Sequence, residues 1–557
     1  MTHPRAISFD FSVVDKGALA LVGISSLVYV LLWLRGRRSR SALRDMTGPP
    51  RVSWIWGSSP AGAPVWDVPR LQLDWMKSYG RTFKFHGLLG ETTLYAGDLH
   101  AAAHVLSNSK YERSPLIRAT LAFIGTSGIL SVEGAQHKRQ RRVMNPAFGL
   151  IELRKHTEVF VSKANELCSI WKDMCNNSDR DDGSVKVDAF EWMNKVTLDI
   201  ICLAGFNYDT AALRSTNDQP NEMNKAVRTM FSFELNEPIF VLQTVFPILR
   251  LIPTRRMRQI RESQELIQRI GKRLIVEKKN ALLKGSGNEG GPSAMKKNDI
   301  EGSDLLSLLI KANMAADLPE NLRLGDEDIL AQVPTFIVAG HETTSTAVTW
   351  GLFALSCAPR VQEKLRAELR QVATDTPSMD ELNALPYLDM VLREVLRLYS
   401  PSPAVRRNPS EDDVIPLSKP YTDKSGTLHH EVVVSKGDCV AVPISALHVA
   451  EDIWGWDAGE FRPERWESVP EAVKQIPNMW GNVLAFVSGS RSCIGYRFAV
   501  IEYVKALLFS LVRSFEFGLA VTPAEVIRKT AVVVRPWLST NPTAGAQLPL
   551  TIRPVTE

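Results

Sequence analysis

Asp326 to Cys357 is apolar on nearly every side of a helical repeat and is followed by Pro359. A surface helix carries one apolar stripe, so this pattern predicts a single helix buried all round, about 50 Å long. A second apolar run, Gly17 to Leu34, holds 18 uncharged residues, just enough to span a bilayer. Arg35, Arg37, Arg38, Arg40 and Arg44 come after it, then the Gly48-Pro49-Pro50 break. Basic residues after a span keep the downstream chain on the cytoplasmic side, whereas a cleaved secretory peptide carries its basic residues first. The pattern predicts a luminal terminus at 1–16, a transmembrane signal anchor at 17–34, a basic and proline-containing hinge at 35–50, and one domain over 51–557.

Elsewhere the period shortens. Thr82-Phe-Lys-Phe-His-Gly and Thr93-Leu-Tyr alternate as strands do. Ser378-Met-Asp-Glu381 is a capping box that opens a short helix. Pro386 starts the next helix, which ends near Tyr399. The Gly/Ser-rich polar stretch from Lys284 through Asp304 predicts a loop. Periodicity alone therefore describes an α-rich chain.

Composition narrows the class without naming it. A chain of 557 residues with 23% charged residues and a net charge of +5 is globular and large enough to bury a substantial core. That charge is too small to suggest nucleic acid, and no run interleaves basic and aromatic residues as a strand-binding groove does. Cys168, Cys175, Cys202, Cys357, Cys439 and Cys493 form no CxxC pair, which argues against a disulfide framework or a structural zinc site.

One cysteine has a distinctive setting, in Phe486-Val-Ser-Gly489-Ser-Arg491-Ser-Cys493-Ile-Gly495. Taken alone, a free cysteine is more often a small buried hydrophobe. Here glycines permit a tight turn and close approach to a flat ligand, and the start of the following helix favours a negative sulfur. The ten residues fit F-x-x-G-x-R-x-C-x-G, and the chain resembles the cytochrome P450 family. The resemblance implies that family's fold, mainly α with a small β-sheet region, preceded here by one N-terminal transmembrane helix. It also implies haem b, with Cys493 as the axial thiolate of its iron and Phe486, Gly489 and Gly495 shaping the loop against the ring. A thiolate pushes electron density onto the iron and favours O–O cleavage.

Three further segments extend the resemblance. Ala339-Gly340-His341-Glu342-Thr343-Thr344 is similar to the family's A/G-G-x-D/E-T-T. It implies that Gly340 leaves room for dioxygen, that Thr343 holds a water, and that Glu342 connects that water to solvent as a proton path. Outside this context such threonines merely bond back to the preceding turn. His341 reads as packing or hydrogen bonding, not as an iron ligand. Glu394-Val-Leu-Arg397 and Phe461-Arg-Pro463-Glu464-Arg465-Trp466 resemble E-x-x-R and P-E-R. By spacing alone Glu394 and Arg397 would be a surface pair worth under about 1 kcal/mol; the family pattern implies a buried network of Glu394, Arg397 and Arg465 that fixes the cysteine loop. His137-Lys-Arg-Gln-Arg141 is similar to W-x-x-x-R, with His137 in place of tryptophan, which implies His137 as a cofactor-binding residue whose imidazole N–H replaces the indole donor, although the basic run Lys138 to Arg142 also reads as a solvated face. Arg141, Arg407 and Arg491 are the three arginines implied for the haem propionates, which suit the planar guanidinium fork.

The function implied is a monooxygenase that hydroxylates or epoxidises a lipophilic small molecule. Electrons would come from NADPH through a flavoprotein, NADPH-cytochrome P450 reductase, with cytochrome b5 as an optional donor. The setting implied is the endoplasmic reticulum membrane, with the domain facing the cytosol. By position in the family, Ser114 to Leu130, Phe231 to Pro253, Phe336 to Thr344, Ala404-Val405 and Ala531 to Val534 would line the pocket, with Phe336, Ala339, Thr344, Ala404 and Val405 as its candidates. Glu411-Asp-Asp-Val-Ile-Pro-Leu-Ser-Lys-Pro-Tyr looks like fungal members, many of which tailor terpenoids and other secondary metabolites. The competing readings are a fatty-acid, steroid or xenobiotic hydroxylase, a reductase-independent haem-thiolate isomerase or dehydratase, and a non-catalytic haem-binding sensor. The Glu342-Thr343 acid and alcohol argue against the last two.

Overall fold

The computed structural model describes residues 42–54, 56–59, 69–215, 221–231, 243, 254–285, 303–315, 318–530 and 532–555. The expected anchor at 17–34 lies outside them, and no helix among the described residues is long and apolar enough to cross a membrane. The second half of the expected hinge is not free but docked on the domain. Leu43 and Met46 are buried, Lys84 N–H donates to Thr47 O at 3.0 Å, and a Cβ on Gly48 would lie 1.8 Å from Lys84 O. Glycine is needed there so that the two backbones can meet.

Among the described residues, twelve strands form four small sheets. β1 (Thr82–His86), β2 (Thr92–Ala96), β3 (Tyr111–Arg113), β5 (Val405–Pro409) and β8 (Cys439–Val442) make a five-stranded sheet in the order β1-β2-β8-β5-β3. Only the β2–β8 pairing in it is parallel. β1 is buried on both faces rather than alternating: on one face Trp75 packs across Phe83 and Phe85 and Tyr95 stacks on Phe83, and on the other Lys84 is covered by the segment before β1, its Nζ donating to Leu43 O at 3.1 Å. β4 (Val185–Asp188), β9 (Phe515–Leu519) and β12 (Pro549–Pro554) form a second sheet, and β6 (Asp413–Thr422) with β7 (Leu428–Val434) and β10 (Val526–Thr530) with β11 (Val534–Leu538) form two hairpins.

The remainder is mostly helical. The elements that matter for the site are α1 (Gly134–Met144), α2 (Leu150–Asn176), α3 (Ala189–Phe206), α4 (Gln332–Cys357), α5 (Pro386–Leu398) and α6 (Lys505–Ser514). α4 runs through the largest apolar core, between α3 and the C-terminal segments. The expected single helix from Asp326 is in fact two, Asp326–Leu330 and α4, interrupted at Ala331. Pro334 explains the break: it has no N–H to offer Leu330 O, and its ring crowds that carbonyl. Of the expected loop from Lys284 through Asp304, Lys284 and Gly285 close a helix that runs from Arg255, Asp304 caps the helix Leu305–Met314, and 286–302 lie outside the described residues. The capping box at Ser378 and the Pro386 helix start form as the sequence indicates.

Candidate haem site

From Gln332 to Leu355, every residue of α4 is buried except Ala339, Gly340 and Thr343. Positions i, i+1 and i+4 share one face of a helix, so a single opening meets α4 at its middle. Phe336 lies on the same stripe but is not open to it: its ring is buried against Phe148 at 5.9 Å and Phe206 at 6.4 Å. Thr344 is likewise buried. Both therefore close the opening rather than line it, contrary to the sequence expectation. Ala404 and Val405 are half-buried at the start of β5. They are tied towards α4 through β11, whose Val534 N–H donates to Pro401 O at 3.0 Å and whose Val534 O accepts Trp350 Nε1–H at 2.8 Å. Most of Phe231 to Pro253, and Ala531, fall outside the described residues.

Three expectations for the α4 motif change. A Cβ on Gly340 would lie 2.6 Å from Ile201 Cδ1 on α3, so its missing side chain serves close helix packing, not room for dioxygen. Glu342 does not reach solvent. It is buried and accepts from Arg535 Nε at 2.5 Å, because β11 brings that guanidinium against α4. Thr343 Oγ donates to Ala339 O at 2.6 Å, the back-bonded form usual inside helices. His341 packs as expected, with Nε2 3.1 Å from Asn194 O.

The cysteine loop is built from unusual backbone. Gly489 has φ +73°, and a Cβ there would lie 2.2 Å from Leu106 O, so only glycine fits. Gly495 has no such constraint; its Cβ position meets only Phe148, at 3.5 Å. The second left-handed residue is instead Val487, φ 58°, a conformation rare for a β-branched side chain and typical of functional sites. Cys493 N–H closes the loop onto Phe486 O at 2.9 Å, and the Phe486 ring rests between Trp480 and Tyr496. Cys493 is accessible although protein atoms crowd around it, the setting of a sulfur at the wall of a cavity. Burial pushes the thiol up, while the Gly495 N–H bond and the charges of Arg141 and Arg113 favour the thiolate. After the loop, the helix leading into α6 has a π-helical stretch over Phe498–Val504, a distortion common beside functional sites.

Arginines surround this cavity. Arg141 on α1 donates to Ser492 O at 2.6 Å and Ser492 Oγ at 3.2 Å. Arg491 pairs with Glu133 and donates to Val132 O at 2.8 Å. Arg407 is buried on β5. Arg113, which sequence reasoning missed, lies directly across from Arg407 in the β3–β5 register, and like charges directly opposite in a sheet are destabilising. Burial, then Arg407, Arg491 and Arg141, pushes Arg113 down to about 9. Burial and Arg491 push Arg407 down to about 10. His137 is buried and pushed down to about 3 by burial and all four arginines, so it is a neutral neighbour. The acids acting on this cluster are Glu133, which also accepts Arg113 N–H at 3.2 Å, and Glu112. Four guanidiniums against two carboxylates leave two positive charges in excess, the complement of a ligand with two carboxylates. An accessible enclosed cysteine and this donor set fit a haem with its two propionates.

Glu394, Arg397 and Arg465 do form a buried network. Arg397 Nε and Nη2 grip Glu394 at 2.9 and 2.8 Å, and its remaining N–H groups reach His448 O at 2.7 Å, Ala458 O at 2.5 Å and Glu460 O at 3.0 Å. Glu394 also accepts Arg462 N–H at 3.0 Å, Trp466 Nε1–H at 3.1 Å and Arg465 Nε at 3.4 Å. Arg465 bonds Asp457 and Trp454 O. The expectation that these three residues themselves fix the cysteine loop is not met. Their described hydrogen bonds go to residues 448–466, none to 484–495.

Comparison with known proteins agrees with this geometry. The cytochrome P450 family model matches residues 47–539. The chain is 44% identical over 540 residues to cytochrome P450 monooxygenase 205 of Postia placenta, covering 96% of each chain. It is 45% identical over 519 residues to cytochrome P450 monooxygenase 128 of the same organism, covering 92% of this chain and 93% of that protein, and 33% identical over 547 residues to cytochrome P450 monooxygenase claQ of Ampulloclitocybe clavipes, covering 94% and 97%. The chain belongs to the cytochrome P450 family. It is an oxidoreductase of the monooxygenase class, which uses haem with an axial cysteine and takes electrons from a redox partner.

Proposed function

We propose that this monooxygenase inserts one oxygen atom from dioxygen into a lipophilic small molecule, by hydroxylation or epoxidation, with Cys493 as the axial ligand. The observation that carries the reading is an enclosed but accessible Cys493 beside four arginines with two uncompensated charges. When bound, the haem supplies the redox chemistry that activates dioxygen. The chain does the rest. Gly495 N–H and the flanking arginines hold negative charge on the sulfur. Arg113, Arg141, Arg407 and Arg491 bind the two propionates, with Glu133 keeping the cluster from excess repulsion.

Ala339, Gly340 and Thr343 form the accessible face of α4. Thr343 Oγ donates to Ala339 O, so its lone pairs remain to accept from a water and hold it in place. Glu342 enters the proton path only when its bond to Arg535 opens, which makes Arg535 part of the path. The basic segment after 17–34 supports a single-pass anchor on the endoplasmic reticulum membrane, from which an apolar substrate can enter. NADPH-cytochrome P450 reductase is the donor proposed, and the resemblance of Glu411 to Tyr421 to fungal members is what suggests a role in secondary metabolism such as terpenoid tailoring.

The test is incubation of the membrane-bound protein with reductase, NADPH, labelled dioxygen and a panel of terpenoids, steroids, fatty acids and aromatics, read by mass spectrometry. Products carrying one labelled oxygen support the reading. Unlabelled products formed without NADPH would overturn it in favour of an isomerase or dehydratase.

A further inference from the structure

The Glu394–Arg397 network and the cysteine loop are separate in their direct hydrogen bonds, yet one side chain touches both. We infer that His448 is the positioning residue that transmits the Glu394–Arg397 network to the cysteine loop, through its Nε2 bond to Leu484. The inference rests on the reading of Cys493 as the haem ligand. His448 ends the helix Ile444–His448 and is fully buried. Its Nδ1 lies 3.0 Å from Arg397 O, and its Nε2 lies 2.8 Å from Leu484 N.

The tautomer is set by the partners. Leu484 N–H can only donate, so Nε2 must present its lone pair, and the ring proton sits on Nδ1, donating to Arg397 O. Arg397 Nη1 in turn donates to His448 O at 2.7 Å. The two residues thus bond each other in both directions, and the imidazole is held rigidly in one plane. Burial pushes His448 down to about 3, which keeps this neutral form across the physiological range.

The bond to Leu484 matters because that residue leads directly into the cysteine loop. Leu484 is buried and opens the turn Leu484–Phe486. Val487 N–H donates back to Leu484 O at 2.8 Å, and Phe486 O receives Cys493 N–H at 2.9 Å. Val487, in its left-handed conformation, lies inside this stretch and needs an external tether to stay there. Among the described hydrogen bonds, the His448–Leu484 contact alone joins that turn to the helix α5 network. An imidazole bridges the gap because it offers a donor and an acceptor on opposite sides of one rigid ring.

Two substitutions separate the two ring nitrogens. In His448→Asn the amide nitrogen can replace Nδ1 and keep the Arg397 bond, but nothing reaches Leu484. In His448→Gln the amide oxygen can replace Nε2 and accept from Leu484. Holoenzymes of wild type and both variants would be compared by hydrogen exchange across residues 483–495, by the spectrum of the reduced carbonyl complex, and by urea midpoint. Expected is slow Leu484 exchange in wild type, about tenfold faster exchange in His448→Asn with a reduced thiolate-ligated fraction, and near wild-type behaviour in His448→Gln. Equal losses in both variants, or none in either, would overturn the inference. If neither variant folds, rapid Leu484 exchange in wild type would overturn it and slow exchange would support it. A wild-type spectrum without the thiolate signature would instead refute the Cys493 reading, leaving the exchange comparison to judge His448 alone.

Discussion

Arg397→Ala removes a buried side chain whose hydrogen-bonding capacity is filled. All five guanidinium N–H groups are used, two on Glu394 and three on the carbonyls of His448, Ala458 and Glu460. Alanine would strand a buried carboxylate and leave those carbonyls without this donor. Breaking a buried ion pair from one side costs roughly 3–5 kcal/mol, and each orphaned buried acceptor adds roughly 1–3 kcal/mol. These terms do not sum, because Glu394 keeps Arg465, Arg462 N–H and Trp466, and a small cavity can admit water. A net loss of at least about 3 kcal/mol remains, a large share of the 5–15 kcal/mol that holds a typical domain. The loss should appear as a lower urea midpoint and as a reduced haem-to-protein ratio, before any change in the chemical step of the molecules that do load. Arg397→Lys, with one charge and three donors, should fall between. An Arg397→Ala protein with full haem content and an unchanged midpoint would refute this reasoning.

Gly340→Ala should destabilise by about 1–3 kcal/mol through overpacking against Ile201; in a double-mutant cycle with Ile201→Ala, which removes both close atoms, Cδ1 and Cγ1, most of that loss should appear as coupling energy. Arg113→Ala should weaken haem retention, measured by haem transfer to an acceptor globin, about as much as Arg407→Ala, whereas loss confined to Arg407→Ala would remove Arg113 from the propionate site. Thr343→Ala should keep NADPH consumption but divert it to hydrogen peroxide, and unchanged coupling would deny Thr343 its water-holding role. His156 and His448 are held neutral by burial, pushed down to about 4 and about 3 from an ordinary 6.5. The unfolded chain protonates them first, so stability is full above about pH 6.5 and falls as pH drops towards 3, by up to about 1.4 kcal/mol per unit for each. Urea midpoints between pH 7.5 and pH 5 should show that fall, with a shallower slope in His448→Gln; a flat profile would contradict it.

Local chemistry was the legible part. The Ser378 capping box, the Pro386 helix start, the buried helix at 332–357 and the cysteine loop each arise from residues close together in sequence. What could not be read depends on register and on distant pairing. Arg113 was one basic residue among many until β3 was set against β5, which placed it opposite Arg407. Arg535 lies 193 positions from Glu342, and His448 looks like an ordinary helix-end histidine until Leu484 folds over it. Gly340 shows the reverse limit: its place in a motif suggested a ligand, while the atoms around its missing Cβ belong to Ile201. Pro334 was visible in the sequence and its break at Ala331 could have been anticipated.

The most direct test of the account is the spectrum of the reduced carbonyl complex of wild type beside Cys493→Ser at equal haem content. The account predicts a thiolate-ligated spectrum for wild type and its complete loss in the variant, since no other cysteine is placed in the arginine-lined cavity. A thiolate spectrum that survives in Cys493→Ser would contradict it, and would move the metal ligand elsewhere in the chain.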